Sequence, residues 1–300
     1  MRVGRAVLAA TAVLGAVVFV GGNARLCAAQ DGQFLMPEQS AAKAKQILQS
    51  AIGALGGSTY LNIHDETCTY RLGNFDHSGQ LTGFGKDIDY SIPPTKDRTE
   101  LLPKRNQITI FNGDKGWVLD RGGVSEAPGS DLIEFQANTA VDLDNILRNR
   151  INEPGMVFRY AGPDVVDLNQ ADWVELVDQE NRTIRIAIAT GTHLPVRETV
   201  ETRDPRTQMK SQEVYIFSNY HPIDGIETAF QITHSRNDIK IYQAFVDSCQ
   251  YNTNLPESMF TKESLDDRWE KIGKKEREKE KKQEEKDEKN DQKNLLSDKD

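Results

Sequence analysis

The chain has 300 residues, 28% of them charged and only 7% aromatic, and a formal net charge of −9. That length allows one large domain or two small ones, each with a core of ordinary size. The acidic balance excludes a nucleic-acid binder, which needs a basic face for the phosphates.

The N-terminus carries Arg2 and Arg5, then the unbroken apolar or small-residue run Ala6–Val20, then small residues at Gly22-Asn23-Ala24 and Cys27-Ala28-Ala29. That is the layout of a cleaved signal peptide over residues 1–29, which predicts export across the inner membrane into the periplasm. The apolar run falls short of the roughly 20 residues of a membrane-spanning helix. Lipidation at Cys27 fits poorly, because Arg25 and Leu26 precede it where small residues are wanted. Export leaves Cys68 and Cys249, which in an oxidising compartment form either a disulfide or two separate buried thiols. A bond would staple the two ends of the sheet.

From Ala41 to Leu55, apolar residues Ala44, Ile47, Leu48, Ala51, Ile52 and Leu55 recur at three- and four-residue steps. They predict an amphipathic helix capped by Ser40 and stopped by Gly56-Gly57. Strand-like text follows over Tyr60–Phe75 and Gly79–Ile92, ended by Pro93-Pro94. Asp97–Leu102 and Gln107–Asn112 come next, and Asn112-Gly113 is a hairpin signal returning through Gly116-Trp117-Val118-Leu119. Ala127-Pro128-Gly129-Ser130 breaks the sheet, and Leu132–Arg150 has helical spacing, with Leu143, Ile146 and Leu147 in one stripe. Strands resume at Met156–Tyr160, Trp173–Val177 and Thr183–Ala189.

Leu194 to Tyr251 then reads as a four-stranded antiparallel meander, Leu194–Arg203, Gln208–Tyr220, Ile226–His234 and Ile239–Cys249. Period-two alternation gives each strand one wet and one buried face. Thr261–Ile272 can form a helix with Leu265 and Trp269 on one face. Beyond Gly273 the chain is mostly Lys, Glu, Asp, Gln and Asn, a solvated or disordered tail that cannot build a core.

No catalytic motif stands out. There is no Gly-x-Ser-x-Gly, no phosphate-cradling Gly-x-x-x-x-Gly-Lys and no His-Glu-x-x-His. The five histidines (His64, His77, His193, His221 and His234) lie in strands or turns with no pair four apart on a helix, which argues against a metal site. Neither an enzyme nor a cofactor is expected.

Several stretches in order along the chain resemble the outer-membrane lipoprotein-sorting, LolA-like superfamily. They are Leu55-Gly56-Gly57 closing a helix, Asp97-Arg98-Thr99-Glu100 leading to Ile108–Phe111, and the turn Asn112-Gly113-Asp114-Lys115-Gly116-Trp117. His193-Leu194-Pro195-Val196-Arg197 before the meander and the closing run from Gln250-Tyr251-Asn252 to Met259-Phe260 complete the set, covering Ala41 to Lys262. The resemblance implies an α+β fold, a single incomplete antiparallel β-barrel with helices covering a concave apolar face that holds acyl chains. From the strand-like stretches we expect a curved sheet of roughly ten strands. In carriers of this superfamily an arginine in the barrel bonds the lid, and Arg98 occupies a similar strand position. The charged tail departs from the pattern.

The expected organisation is a signal peptide over 1–29, a half-barrel domain over 30–262 and a charged tail over 263–300. The candidate cavity lining is Ile108, Ile110, Trp117, Ile184, Ile186, Ile188, Ile216, Phe230 and Ile232; alternatively these residues pack against the helices and leave no cavity. Each buried CH₂ contributes about 0.8 kcal/mol, so an apolar cleft can hold an acyl chain without a polar code. Two functions follow: a monomeric periplasmic carrier of lipid or lipoprotein acyl chains, or a protein-binding or envelope-stress signalling module on the same fold, with an envelope protein as partner.

Overall fold

The computed structural model describes residues 35–203 and 209–275. The expected signal peptide, and the charged tail after residue 275, lie outside them. Helix α1 spans Pro37–Leu55 and a short turn of helix, α2, spans Ser58–Leu61. The first block of strands is β1 Glu66–Phe75, β2 Leu81–Ile92, β3 Lys96–Leu101, β4 Ile108–Asn112, β5 Lys115–Asp120 and β6 Gly123–Glu126. Helices α3 Gly129–Val141 and α4 Leu143–Asn145 follow, the latter running into a π-helical turn over Ile146–Arg150. The second block is β7 Val157–Val166, β8 Asn169–Val177, β9 Thr183–Ala189, β10 Pro195–Arg203, β11 Lys210–Ile223, β12 Ile226–Arg236 and β13 Ile239–Tyr251. A 3₁₀ turn, Glu257–Phe260, leads to helical residues 262–275, called α5.

Among the described residues the strands form one open, curved antiparallel sheet of thirteen rather than roughly ten, in the order β6-β5-β4-β3-β2-β1-β13-β12-β11-β10-β9-β8-β7. Within each block consecutive strands pair as hairpins, and the blocks meet at a seam where β1 lies against β13. Cys68 stands opposite Cys249 at that seam, and the two are bonded. The bond therefore crosses the middle of the sheet; the outer edges are β6 and β7.

The ladders define two faces, because directly opposed residues project to the same side. One row runs Ile186, Glu198, Tyr215, His234, Tyr242 across β9–β13. The row Cys68, Asp89, Thr99, Thr109, Val118 continues the same inner face across β1–β5. The opposite row Tyr90, Arg98, Ile110, Trp117 is the outer face.

Helix α1 lies on the inner face of the second block. Ala44, Leu48, Ala51, Ile52 and Leu55 are buried against Val174, Leu176, Ile184, Ile186 and Ile188, and Ile146 and Leu147 join them. Full burial of a large aliphatic side chain contributes about 1.5–3 kcal/mol, so this stripe anchors the helix. The helix begins earlier than its apolar period, with Pro37 in its first turn and the Gln39 side chain accepting from the Met36 N–H at 3.1 Å. Ser40 is therefore inside the helix, not at its cap. Gly56 ends it at φ 133°, and a Cβ there would lie 2.6 Å from the Gly225 carbonyl oxygen, so the helix end fits the β11–β12 turn only without a side chain.

The outer face is covered too, at β2–β5. Ile108, Ile110 and Leu119 are buried there with Phe260 and Leu265, with Tyr90 and Trp117 packed alongside. The helices thus do not lie on one side of the sheet, and the packed chain runs past Lys262 into α5.

Candidate functional site

The predicted helix over Leu132–Arg150 is broken at Asp142, whose backbone is extended (φ −57°, ψ 133°) and whose carboxylate accepts from the Asn145 N–H at 2.9 Å to start α4. The break lets α3 reach over the first block, where Phe135 stacks on Phe111 with ring centroids 4.5 Å apart. The π turn drops back onto the core beneath α1. Between this angled cover and the inner face lies a cavity of about 430 Å³.

One side of its wall is apolar and aromatic. Phe135 and Val141 come from the cover, and Phe217, Ile232, Tyr70, Tyr215 and Tyr242 from the sheet. The remainder is polar and carries six carboxyl groups. Glu66, Asp89 and Asp97 project from β1–β3, Asp142 and Asp144 from the start of α4, and Glu198 from β10. Two cations reach it. The Arg148 guanidinium is held by the Ile63 carbonyl, and Lys96 pairs with Glu257. Tyr60 donates to Asp144 at 2.5 Å.

Loss of water holds five of these carboxyls, Glu66, Asp89, Asp97, Asp142 and Glu198, above their ordinary range. Burial, then the charge of Asp144, pushes Glu66 up to about 8. Burial, then Asp144, brings Asp142 to about 7, and burial brings Asp97 to about 6. Asp89 is raised by burial, then by Asp97 and Asp87, and Glu198 by burial, then by Asp142 and Asp144. Glu198 is only 2% exposed, and its Oε1 has no hydrogen-bond partner; neither has Asp89 Oδ1.

Of the nine residues expected to line an apolar cavity, Ile232 does so. Phe230 shares its face and packs with Val246 and the disulfide, edge-on to His221 at 4.9 Å. Ile184, Ile186 and Ile188 are sealed under α1 as solid core. Ile216 stands opposite Arg197, on the outer face, where it is half-buried. Ile108, Ile110 and Trp117 are also on the outer face, beneath the C-terminal segment. Alternation correctly paired these residues but could not say which face enclosed a cavity. Arg98 bonds no lid over the cavity. Buried on the outer face, it donates to Glu100 at 2.6 Å, the Met259 carbonyl at 2.8 Å and Ser264 Oγ at 2.9 Å, tying down the C-terminal segment.

The inward carboxylates were missed because polar positions in an alternating strand were read as wet. In β2, Asp87, Asp89 and Ser91 alternate with Ile88, Tyr90 and Ile92, and here the apolar set is the outer one. The available signal was a carboxylate, Glu198, two residues from Val200 on a strand otherwise buried on that face.

An open curved antiparallel sheet with helices laid across its inner face is a half-barrel. Solved structures of the same shape include a DUF1329 family protein from Desulfovibrio piger, with a TM-score of 0.55 and 14% identity over 75% of this chain and 99% of that one. A second, described as an outer membrane lipoprotein-sorting protein domain from Vibrio parahaemolyticus, gives a TM-score of 0.51 and 13% identity over 75% and 99%. The chain has the LolA-like fold. No protein-family model matches its sequence, and no curated protein does.

Proposed function

We propose that this chain is a non-enzymatic binding protein of the bacterial envelope that holds one amphiphile, such as a lipid or the acyl chain of a lipoprotein, between its half-barrel and the α3–α4 cover. The observation that carries the reading is the cavity of about 430 Å³. Its size falls within the roughly 300–1,000 Å³ of small-ligand sites, and its wall is apolar on one side and charged on the other. A pure hydrocarbon matches only the side formed by Phe135, Val141, Phe217 and Ile232. Export through a signal peptide to the periplasm agrees with the Cys68–Cys249 bond, since such bonds persist in oxidising compartments. The likeness in fold to a lipoprotein-sorting domain supports the same reading. Trafficking between envelope layers is the role that a soluble carrier of this kind would serve.

Native mass spectrometry of the chain purified from a bacterial periplasm, with solvent extraction of what it carries, tests this. Reproducible amphiphile adducts that disappear in Ile232→Asp are expected. A clean unliganded mass with no uptake of offered phospholipid or lipopeptide would sink it.

A further inference from the structure

The acidic side of the cavity is out of proportion to anything folding requires. Six carboxyl groups face one space from five separate elements, with Arg148 and Lys96 as the cations on its wall. Both cations already have partners, the Ile63 carbonyl and Glu257. Glu198 is the decisive group. A carboxyl buried to 2% exposure with an unpartnered oxygen costs stability, and such groups are ordinarily paired or hydrogen-bonded. It lines the cavity beside Tyr215, so the missing partner would have to come from the cavity itself.

Resting on the reading of this cavity as a ligand site, we propose that it receives an aliphatic ammonium group: the ligand bound in the half-barrel has a cationic head. The carboxyls are spread over both walls. Among the described residues no three His, Cys, Asp or Glu side chains converge as they would around a metal ion. An ammonium on an alkyl chain satisfies this distribution. It donates up to three hydrogen bonds to separated acceptors, and Phe217 and Ile232 on the same wall take the hydrocarbon. The same chemistry comes from two sources, an amine-headed amphiphile or a free polyamine.

The test is isothermal titration of the purified, exported chain with dodecylammonium, dodecanoate and spermidine. Dodecylammonium is expected to bind at least about tenfold tighter than dodecanoate, with protons released at pH 7 as the raised carboxyls ionise around it. Glu198→Gln, an isosteric change that removes the ionisable carboxyl, should weaken dodecylammonium about tenfold and leave dodecanoate unchanged. Asp97→Asn, on β3 in the other block of strands, should act in the same direction, which guards against a purely local effect. Equal binding of the two chains, or no effect in either variant, overturns the ammonium proposal and leaves the amphiphile reading standing. Binding of spermidine alone upholds the ammonium site and overturns the amphiphile reading. Binding of none of the three overturns both.

Discussion

The Ser40 hydroxyl accepts a hydrogen bond from the Tyr160 N–H at 2.9 Å, and so joins the first helix to the unpaired side of the last strand in the sheet. An edge strand presents free N–H and C=O groups, and covering them with a helix blocks pairing with another chain. Lys43 lies over the Tyr160 ring, 3.5 Å from its centroid, and reinforces the contact. Ser40→Ala leaves that N–H unsatisfied under the helix. We expect a loss of about 1–2 kcal/mol, read as a lower urea midpoint with an unchanged slope, and faster aggregation at high concentration.

Arg98 should behave as a fastener for the C-terminal segment. Its guanidinium sits buried between Glu100, Met259 and Ser264, and Arg105 also pairs with Glu100. Arg98→Ala leaves Glu100 less compensated in the interior, a change that typically costs about 3–5 kcal/mol when a buried pair is broken. Limited proteolysis should then cut between residues 252 and 262, where the unaltered chain resists, while the β1–β13 seam stays intact.

Stability should peak in mildly acidic solution. Glu66, Asp142 and Asp97 have folded values of about 8, 7 and 6, above their ordinary carboxyl values of 4.5, 3.8 and 3.8. The folded state therefore binds more protons than the unfolded one between those limits, and stability falls as pH rises through the window. Asp65, Asp178 and Asp247 act in the opposite sense. Despite the upward pull of burial, the hydrogen bonds of Asp65 from Thr253, Asn254 and Leu255 lower it; backbone and side-chain bonds from Arg182 lower Asp178; and Lys86 and Arg71 lower Asp247. Their contribution is lost as pH falls below the ordinary carboxylate range. Urea midpoints measured from pH 3 to 9 should be highest near about pH 5. A maximum at pH 8 would contradict the buried acidic cluster.

Reduction of the Cys68–Cys249 bond opens a covalent loop with a sequence separation of 181. The chain-entropy account puts the stabilisation lost at about 2–5 kcal/mol. Thermal melts with and without reductant, repeated on Cys68→Ala with Cys249→Ala, should show the same downward shift for the reduced chain and the double variant.

Much of this architecture is legible in the chain. The meander after Leu194 appears because β-branched and aromatic residues alternate between tight turns, and α1 because Ala44, Leu48, Ala51 and Leu55 keep helical period. β6 is too short to carry a period at all. The pairing of β1 with β13 involves residues far apart in sequence, and no local pattern encodes it. The acidic cavity was hidden for a different reason. Alternation separates two faces but identifies the buried one only when the other meets water. At β2–β5 the outer face is covered by Phe260 and Leu265 and the inner face by α3, so Tyr90 and Asp89 are both half-buried and neither face is left fully wet.

The position of the seam also dictates a timetable. A chain emerging N-terminus first can zip β1 to β6, and later β7 to β12, as successive hairpins, each closing over a short stretch. The inner edge of β1 has no neighbour until β13, the last strand made, is released. The first arm must therefore wait with its future mid-line bare, a sticky edge that a holding chaperone would have reason to cover. Asp65, at the threshold of β1, accepts from the backbone of Thr253, Asn254 and Leu255 immediately after β13, so arrival of the final strand and locking of the two arms are one event.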